Sequence, residues 1–399
     1  MSDAQLELQQ PLAPTASPET GLGVVGKLSF LDRFLTLWIL LAAGLGLGLG
    51  QINAIQDFID ETTIGSTNVL VAIGLLVMMY PPLAKVRWNL VHRIFADWKL
   101  LLLTTVQNWV LGPFVMFFLS SAFFNDDVGY MTGLSLVGCA RCIAMVVVWN
   151  GLAGGDAEYC AAIVAMNSVI TIGLYSPYAG LFINELPSHL GINSTTEIHV
   201  SIGEVAKNVG IYMAVPFVAA LLTWYTLTKL KGAPWYFDKF TPRIGVLTLI
   251  ALLFTIIVLF ASQSERISSH LDKVIYAAVP LLIYFLFMFI VSFLMSWWLG
   301  ATYEQAVALS FTAASNNFEL ALAVVIASFG LKSDPALMSV VGALIEIPTM
   351  LALVYMAFWF RKSLFETKAA DQDAALVDAM EMQQTEHEAT GDYSKKTVQ

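Results

Sequence analysis

The segment Gly138-Cys139-Ala140-Arg141-Cys142 places a guanidinium and two thiols inside a stretch otherwise apolar enough to cross a bilayer. An arginine in hydrocarbon is costly unless it is paired or lines a wet cavity. A neighbouring cation favours the thiolate form of a cysteine. One buried cation beside one soft nucleophile predicts a binding site centred on Cys142, with Arg141 supporting it. A second polar interruption, Ala314-Ser315-Asn316-Asn317-Phe318-Glu319, lies in another apolar span. Helices unwound at such points expose backbone groups that are tolerated only around a cavity or inside packed protein. Asn316 and Asn317 can then hydrogen-bond a ligand hydroxyl or an open backbone turn. Glu319 follows Asn316 by three residues and shares its helix face. An uncompensated carboxylate is expensive there. It either holds a proton or pairs with Arg141. A membrane carboxylate that switches between those states is a proton relay; a permanent Arg141–Glu319 bridge would only join two parts of the fold.

Other polar residues rank behind these. Glu346, in Leu344-Ile345-Glu346-Ile347-Pro348, couples to the ligand or braces the scaffold, with Asn167 as its counterpart. Pro348 removes a helix hydrogen bond and predicts a kink. Asn150, with Asp156 and Glu158, reads as a cytoplasmic vestibule or as loop capping. Cys139 and Cys142 could together chelate a soft ion, whereas Cys160 reads as packing. Three cysteines in or beside membrane segments are expected as reduced thiols. No soluble α/β domain surrounds the Cys-x-x-Cys spacing, which argues against a thioredoxin-like site. His92, His189, His199, His270 and His387 have no zinc spacing.

The elements that must position these residues are membrane helices. Of 399 residues, 57% are hydrophobic and 13% charged, with mean hydropathy +0.71; soluble domains carry about 25% charged residues. The fold class is an all-α polytopic membrane protein. Ten spans are expected near 34–52, 67–84, 99–120, 130–152, 158–183, 205–228, 243–262, 274–299, 304–330 and 336–360, the fourth and ninth interrupted. Gly44, Gly46, Gly48 and Gly50 in the first span predict a close helix-packing face. The formal net charge of −10 lies mostly in two polar tails: residues 1–26 contribute −3 and residues 363–399 contribute −5. Both tails read as disordered and cytoplasmic. Residues 1–26 hold Asp3, Glu7 and Glu19 but no basic residue, so no cleavable signal peptide is expected. No basic cluster predicts a nucleic-acid partner.

Basic residues fix the expected orientation. Lys27, Arg33, Lys85, Arg87, Arg93, Lys99, Lys229, Lys231, Lys239, Arg243, Arg361, Lys362 and Lys368 fall on one side. The other side has Arg266, Lys273 and Lys332 with Asp57, Asp60, Glu61, Asp126 and Asp127. The positive-inside rule then puts both termini in the cytoplasm, and with no organelle-targeting features in the sequence the expected location is a plasma membrane, the bacterial inner membrane. The halves also echo each other. At an offset of 175, Leu134-Ser135 aligns with Leu309-Ser310, Arg141 with Asn316, Cys142 with Asn317 and Gly155 with Gly330. A small insertion brings Asp156 to Asp334 and Asn167 to Glu346. Five helices per half give two inverted repeats, over residues 28–183 and 204–362. That architecture marks secondary transporters, whose sites lie at the midplane where interrupted helices meet.

Several segments carry a family resemblance. Leu28-Ser29-Phe30-Leu31-Asp32-Arg33, Ala140-Arg141-Cys142-Ile143-Ala144-Met145-Val146 through Val148-Trp149-Asn150, Gly155-Asp156-Ala157-Glu158-Tyr159 and Ser315-Asn316-Asn317-Phe318-Glu319-Leu320-Ala321 resemble the yeast-type arsenite efflux permeases. These belong to the bile acid/arsenite/riboflavin transporter superfamily. The resemblance covers about residues 28–362. It implies export of trivalent arsenite, sometimes antimonite, driven by protons, with no cofactor. It implies that the cysteine of the fourth helix, here Cys142, is required, and that Glu319 is the glutamate of the ninth. Val169-Ile170-Thr171-Ile172-Gly173 departs from a commonly Gln-containing family segment, which bears on substrate range. The chemistry agrees: trivalent arsenic is soft and thiophilic, and arsenous acid offers hydroxyls to Asn316 and Asn317.

Three other readings compete. A sodium-coupled organic-anion symporter of the same superfamily would use Asn317 and Glu319 as sodium ligands and dispense with Cys142. An intramembrane thiol enzyme would use Cys142 activated by Arg141, but no general base stands beside it in the sequence. A sensor would need an output domain that the short tails do not contain. The sequence leaves assembly into a homo-oligomer open.

Overall fold

The computed structural model describes residues 35–64, 67–86, 88, 97–192 and 200–366. The expected N-terminal tail, the expected C-terminal tail beyond Glu366, and the basic residues Lys27, Arg33, Arg87, Arg93 and Lys368 lie outside the described residues, while residues 363–366, expected to be disordered, continue the last helix. His92, His199 and His387 also lie outside the described residues.

The described chain is helical apart from a two-stranded antiparallel ribbon, β1 (Thr63–Ile64) with β2 (Thr67–Asn68). The helices are α1 (Leu35–Leu49), α2 (Asn53–Glu61), α3 (Val69–Ala84), α4 (Trp98–Phe123), α5 (Val128–Gly138), α6 (Met145–Leu152) and α7 (Ala157–His189). They continue as α8 (Ile202–Lys231), α9 (Ala233–Ser262), α10 (Ser264–Ser269), α11 (Leu271–Trp298), α12 (Tyr303–Ala314), α13 (Phe318–Phe329) and α14 (Asp334–Glu366). Among the described residues, α4, α7, α8, α9, α11 and α14 are each long and apolar enough to cross a membrane. The residues Leu37–Leu49 of α1 form with α2 a pair bent by 99°. The shorter apolar helices α3, α5 and α13 complete a polytopic membrane protein.

Two groups of helices pack side by side. In one, α9 lies against α1 and α3, and α3 also meets α8. In the other, α14 packs on α5 and α11, α11 on α12, and α4 on α5. The glycines of α1 correct one expectation. A Cβ on Gly46 would meet the Ile257 carbonyl at 2.6 Å, and one on Gly50 the Ala261 carbonyl at 2.3 Å. Gly44 and Gly48 have nothing within 4 Å of theirs. A stripe with period two cannot stay on one face of a helix with 3.6 residues per turn, so only the i, i+4 pair 46 and 50 touches α9.

The breaks fall where the polar residues stand. The α5–α6 break spans 139–144, and the α12–α13 break spans 315–317. Gly154 at φ 71° lets the chain turn from α6 toward α7. Asp156 then caps α7, its Oδ1 accepting from the N–H of Glu158 and of Tyr159, each at 2.9 Å. Pro348 lies inside the continuous helix α14.

Candidate functional site: the crossing of two broken helices

The two breaks lie across one another as a short antiparallel pair. Arg141 and Asn316 are its partner residues. Asn317 N–H donates to the Ala140 carbonyl at 3.0 Å, and Cys142 N–H to the Ser315 carbonyl at 3.4 Å. Backbone polar groups that would otherwise be orphaned in the core therefore satisfy each other. Four half-helices, α5, α6, α12 and α13, end at this point.

The ends sort the charges. Arg141 is fully buried. Its guanidinium donates to the Gly138 carbonyl, in the last turn of α5, and to the Ala313 carbonyl at 3.0 Å, in the last turn of α12. Carbonyls at helix C-termini lack intrahelical donors and carry partial negative charge, so one cation caps two helices. It also donates to the Tyr284 hydroxyl, which in turn donates to Asn316 Oδ1 at 3.2 Å. The N-terminal ends take the opposite partners. Cys142 precedes the first residue of α6, Met145, by three positions. Glu319 lies in the first turn of α13, beside the helix's positive end.

This geometry corrects one of the sequence alternatives. No Arg141–Glu319 ion pair forms, because the guanidinium is committed to two carbonyls and a phenol. Glu319 and Glu346 are instead both buried, in the same neighbourhood as Cys142. Neither Glu346 carboxyl oxygen has a hydrogen-bond partner. Asn317 Oδ1 accepts from the Leu320 N–H at 2.9 Å and so caps α13. That bond, and the Tyr284 bond to Asn316, fix which way each amide points. Asn316 Nδ2 and Asn317 Nδ2 are buried donors with no partner. Such atoms cost about 1–3 kcal/mol each when left unpaired, and a ligand oxygen relieves that cost.

Cys142, Asn316, Asn317, Glu319, Arg141 and Glu346 thus share one locality. Two expected residues do not join it by any hydrogen bond. Asn167 Oδ1 accepts from Trp109 Nε1 at 3.0 Å and Asn108 Nδ2 at 3.4 Å, on α4. Asn150 Nδ2 donates to the Asp156 carbonyl at 3.2 Å and braces the turn between α6 and α7. Cys139 is bonded to the Ser135 carbonyl at 3.2 Å, within its own helix turn. All three cysteines are free thiols.

Sequence reasoning missed Tyr284 and Gly112. Tyr284 is one hydroxyl in the apolar run of α11. Gly112 follows a widened turn of α4, Gln107–Leu111, and a Cβ there would sit 2.9 Å from the guanidinium and 3.1 Å from the Tyr284 hydroxyl. The available signal was a mid-membrane phenol and a glycine next to polar Gln107 and Asn108; a buried arginine needs both an acceptor and space.

One cavity adjoins the crossing. It holds about 140 Å³ between the two helix groups. Ile143, Ala144 and Met145, which follow Cys142, form one wall; Pro82, Leu249 and Leu252 face them, and exposed Lys85 stands at the edge.

A model of the sodium bile acid symporter family matches residues 72–270. The arsenical-resistance protein Acr3 of Corynebacterium glutamicum is 41% identical over 340 residues, 85% of this chain and 92% of the relative. The chain belongs to the arsenite efflux permease family. The Acr3 protein of Alkaliphilus metalliredigens is 30% identical, over 84% of this chain and 95% of its own. An uncharacterized transporter of Synechocystis sp. is 32% identical, over 84% of this chain and 91% of its own. Membership of the arsenite efflux permease family makes the protein a multi-pass membrane transporter and not an enzyme.

Proposed function

We propose that the protein exports arsenite in exchange for protons, with Cys142 binding the metalloid. The observation that carries this reading is the burial of a thiol, two carboxyls and two unpartnered amide donors at one crossing of broken helices. Arsenous acid condenses with the thiol: an As–S bond forms, one As–O bond breaks, and the thiol proton leaves with that hydroxyl as water. Hydrolysis reverses the step. One thiol keeps binding reversible. The remaining two hydroxyls accept from Asn316 and Asn317. Glu319 takes a proton as the substrate leaves outward and gives it up on the cytoplasmic side, with Glu346 sensing that charge.

Ten spans in two inverted five-helix repeats, with both termini cytoplasmic, complete the proposal. The pairing of Arg141 with Asn316 supports the repeat, since these positions are equivalent at the offset of 175 and an antiparallel pair is locally two-fold.

The test is arsenite accumulation in everted membrane vesicles under an imposed proton gradient. Wild type accumulates arsenite, a protonophore abolishes it, and Cys142→Ser lacks it. Equal accumulation by Cys142→Ser would reduce Cys142 to packing. Accumulation that requires sodium would favour the symporter.

A further inference from the structure

The spanning helices α4 and α11 diverge toward one end. α11 packs on the Gly112–Phe123 half of α4, and Lys273 near its start pairs with Asp127 just beyond that half. Gln107 makes the next tie. Its Oε1 accepts from the Ser292 hydroxyl at 2.8 Å, and its Nε2 reaches Met295 Sδ at 3.6 Å. Beyond Gln107 a groove of about 470 Å³ opens between the two helices.

The α4 wall of the groove is Lys99, Leu102, Leu103 and Val106, one helical stripe at i, i+3, i+4 and i+7. Met295 and Trp298 of α11 face it, and Trp98 stands at the mouth. Leu102, Val106, Met295 and both tryptophans are exposed. Seven residues of helix put Val106 about 10 Å below the level of Lys99. The groove is thus apolar along its length, with a cation and two indoles at its mouth. Lysine and tryptophan at a helix end mark the level of lipid headgroups. Apolar walls around an opening of this size hold hydrocarbon rather than water, which needs several polar partners.

The charge at the mouth selects the occupant. Asp97, beside Lys99 in the chain, caps its own helix: its Oδ1 accepts from the N–H of Lys99 at 3.2 Å and of Leu100 at 3.3 Å. Among the described residues no acid lines the groove. A symmetric contact of two copies through this face would set lysine near lysine with no acid in either wall to neutralise them. An anionic amphiphile satisfies the lysine and the apolar walls together. We propose that the groove seats one anionic glycerophospholipid, its phosphate on Lys99 and an acyl chain along Leu102 and Val106 against Met295. The foot of the seat is Gln107, the first residue of the widened turn whose Asn108 and Trp109 hold Asn167. A bound chain fills the gap between the diverging helices and braces that turn.

The full chain, purified in detergent, is exchanged with an equal mixture of phosphatidylglycerol and phosphatidylcholine of matched acyl chains, and native mass spectrometry reads the lipid retained. Wild type retains phosphatidylglycerol in preference. Lys99→Gln lowers that preference roughly three- to tenfold, and Lys99→Arg keeps it. A phosphatidylglycerol with a diazirine in one acyl chain locates the seat. Illumination labels the peptides that contain Leu102 and Met295, and Leu102→Trp, which fills the groove, removes that label. Equal retention of the two lipids by wild type, a preference that Lys99→Gln leaves unchanged, or labelling confined to other helices overturns the seat. Disulfide crosslinking of Leu102→Cys between copies in native membranes would place a second copy in the groove and overturn it as well. Arsenite transport enters none of these measurements, so the seat stands or falls apart from the export reading.

Discussion

At the scale of single residues, the site separates charges by helix polarity. Arg141 satisfies the C-terminal carbonyls of α5 and α12, while Cys142 and Glu319 stand at the N-terminal ends of α6 and α13. A cation committed in this way forms no ion pair with Glu319, and the proposed proton exchange assigns that carboxyl the coupling role. Glu319→Gln keeps the size and removes the titration. Its expected phenotype is retained arsenite exchange at equal pH on both sides, with gradient-driven accumulation lost about completely. Vesicle uptake with and without a protonophore measures this; full gradient dependence in the variant would move the coupling elsewhere, Glu346 being the nearest candidate. Residue identities were legible in the sequence wherever a polar group interrupted an apolar run, because charge in hydrocarbon has few bland explanations. Partners were not legible. Tyr284 lies 143 residues from Arg141 in the chain, and its mid-helix position marks it as unusual without naming the residue it meets.

At the scale of elements, α4 is the support that the site leans on. Its widened turn at Gln107–Leu111 presents Asn108 and Trp109 to Asn167 and brings Gly112 against the guanidinium. Extra-residue turns of this kind occur mostly as single turns at functional positions. Apolar periodicity does not reveal them, since the turn inserts a residue without changing composition. Gly112→Ala forces a methyl into a space bounded by Arg141 and Tyr284, both buried and held by hydrogen bonds. Overpacking of that kind costs about 1–3 kcal/mol. The variant is expected to show a lower melting midpoint in detergent and slower transport. Gly48→Ala, with open space around it, is expected to melt like wild type. Equal midpoints for both variants would mean that α4 yields easily and that Arg141 is not pinned. The helix breaks themselves were legible, since Cys139-Ala140-Arg141-Cys142 and Ser315-Asn316-Asn317 each collect polar residues that a spanning helix avoids. Their crossing was suggested only by the offset of 175, which aligns Arg141 with Asn316.

At the scale of the whole molecule, the end away from Lys85 is tied shut around the loop that follows α13. Lys332 pairs with Asp60 on α2 at 2.8 Å, and Arg266 on α10 pairs with Asp334 at 2.7 Å and donates to the Lys332 carbonyl. Gln263 donates to the Leu331 carbonyl, and Gln56 on α2 donates to the Ala261 carbonyl at 2.7 Å. Lys273 and Asp127 form a further pair at 3.1 Å. The residues expected on the outer side from the positive-inside count are those joined here. The ties link α2 and α9, which belong with one helix group, to the loop that leads from α13 into the other. The cavity, with Lys85 at its edge, lies toward the opposite end from these ties. Partly exposed pairs contribute about 0.2–1 kcal/mol each. Reversing one charge should therefore shift the population severalfold without unfolding the protein. Leu331 is 5% exposed behind these ties, so its accessibility reports their opening. In a Leu331→Cys background, Lys332→Asp should raise the rate of labelling by a membrane-impermeant maleimide in spheroplasts by about two- to fivefold. Adding Asp60→Lys recreates the pair with its charges exchanged and should return the rate to that of the Leu331→Cys background. Restored labelling kinetics alongside restored arsenite export would identify the Asp60–Lys332 pair as a latch of the transport cycle. A rate indifferent to both changes would leave the pair as surface decoration and assign closure to Gln263 and the packing of α10.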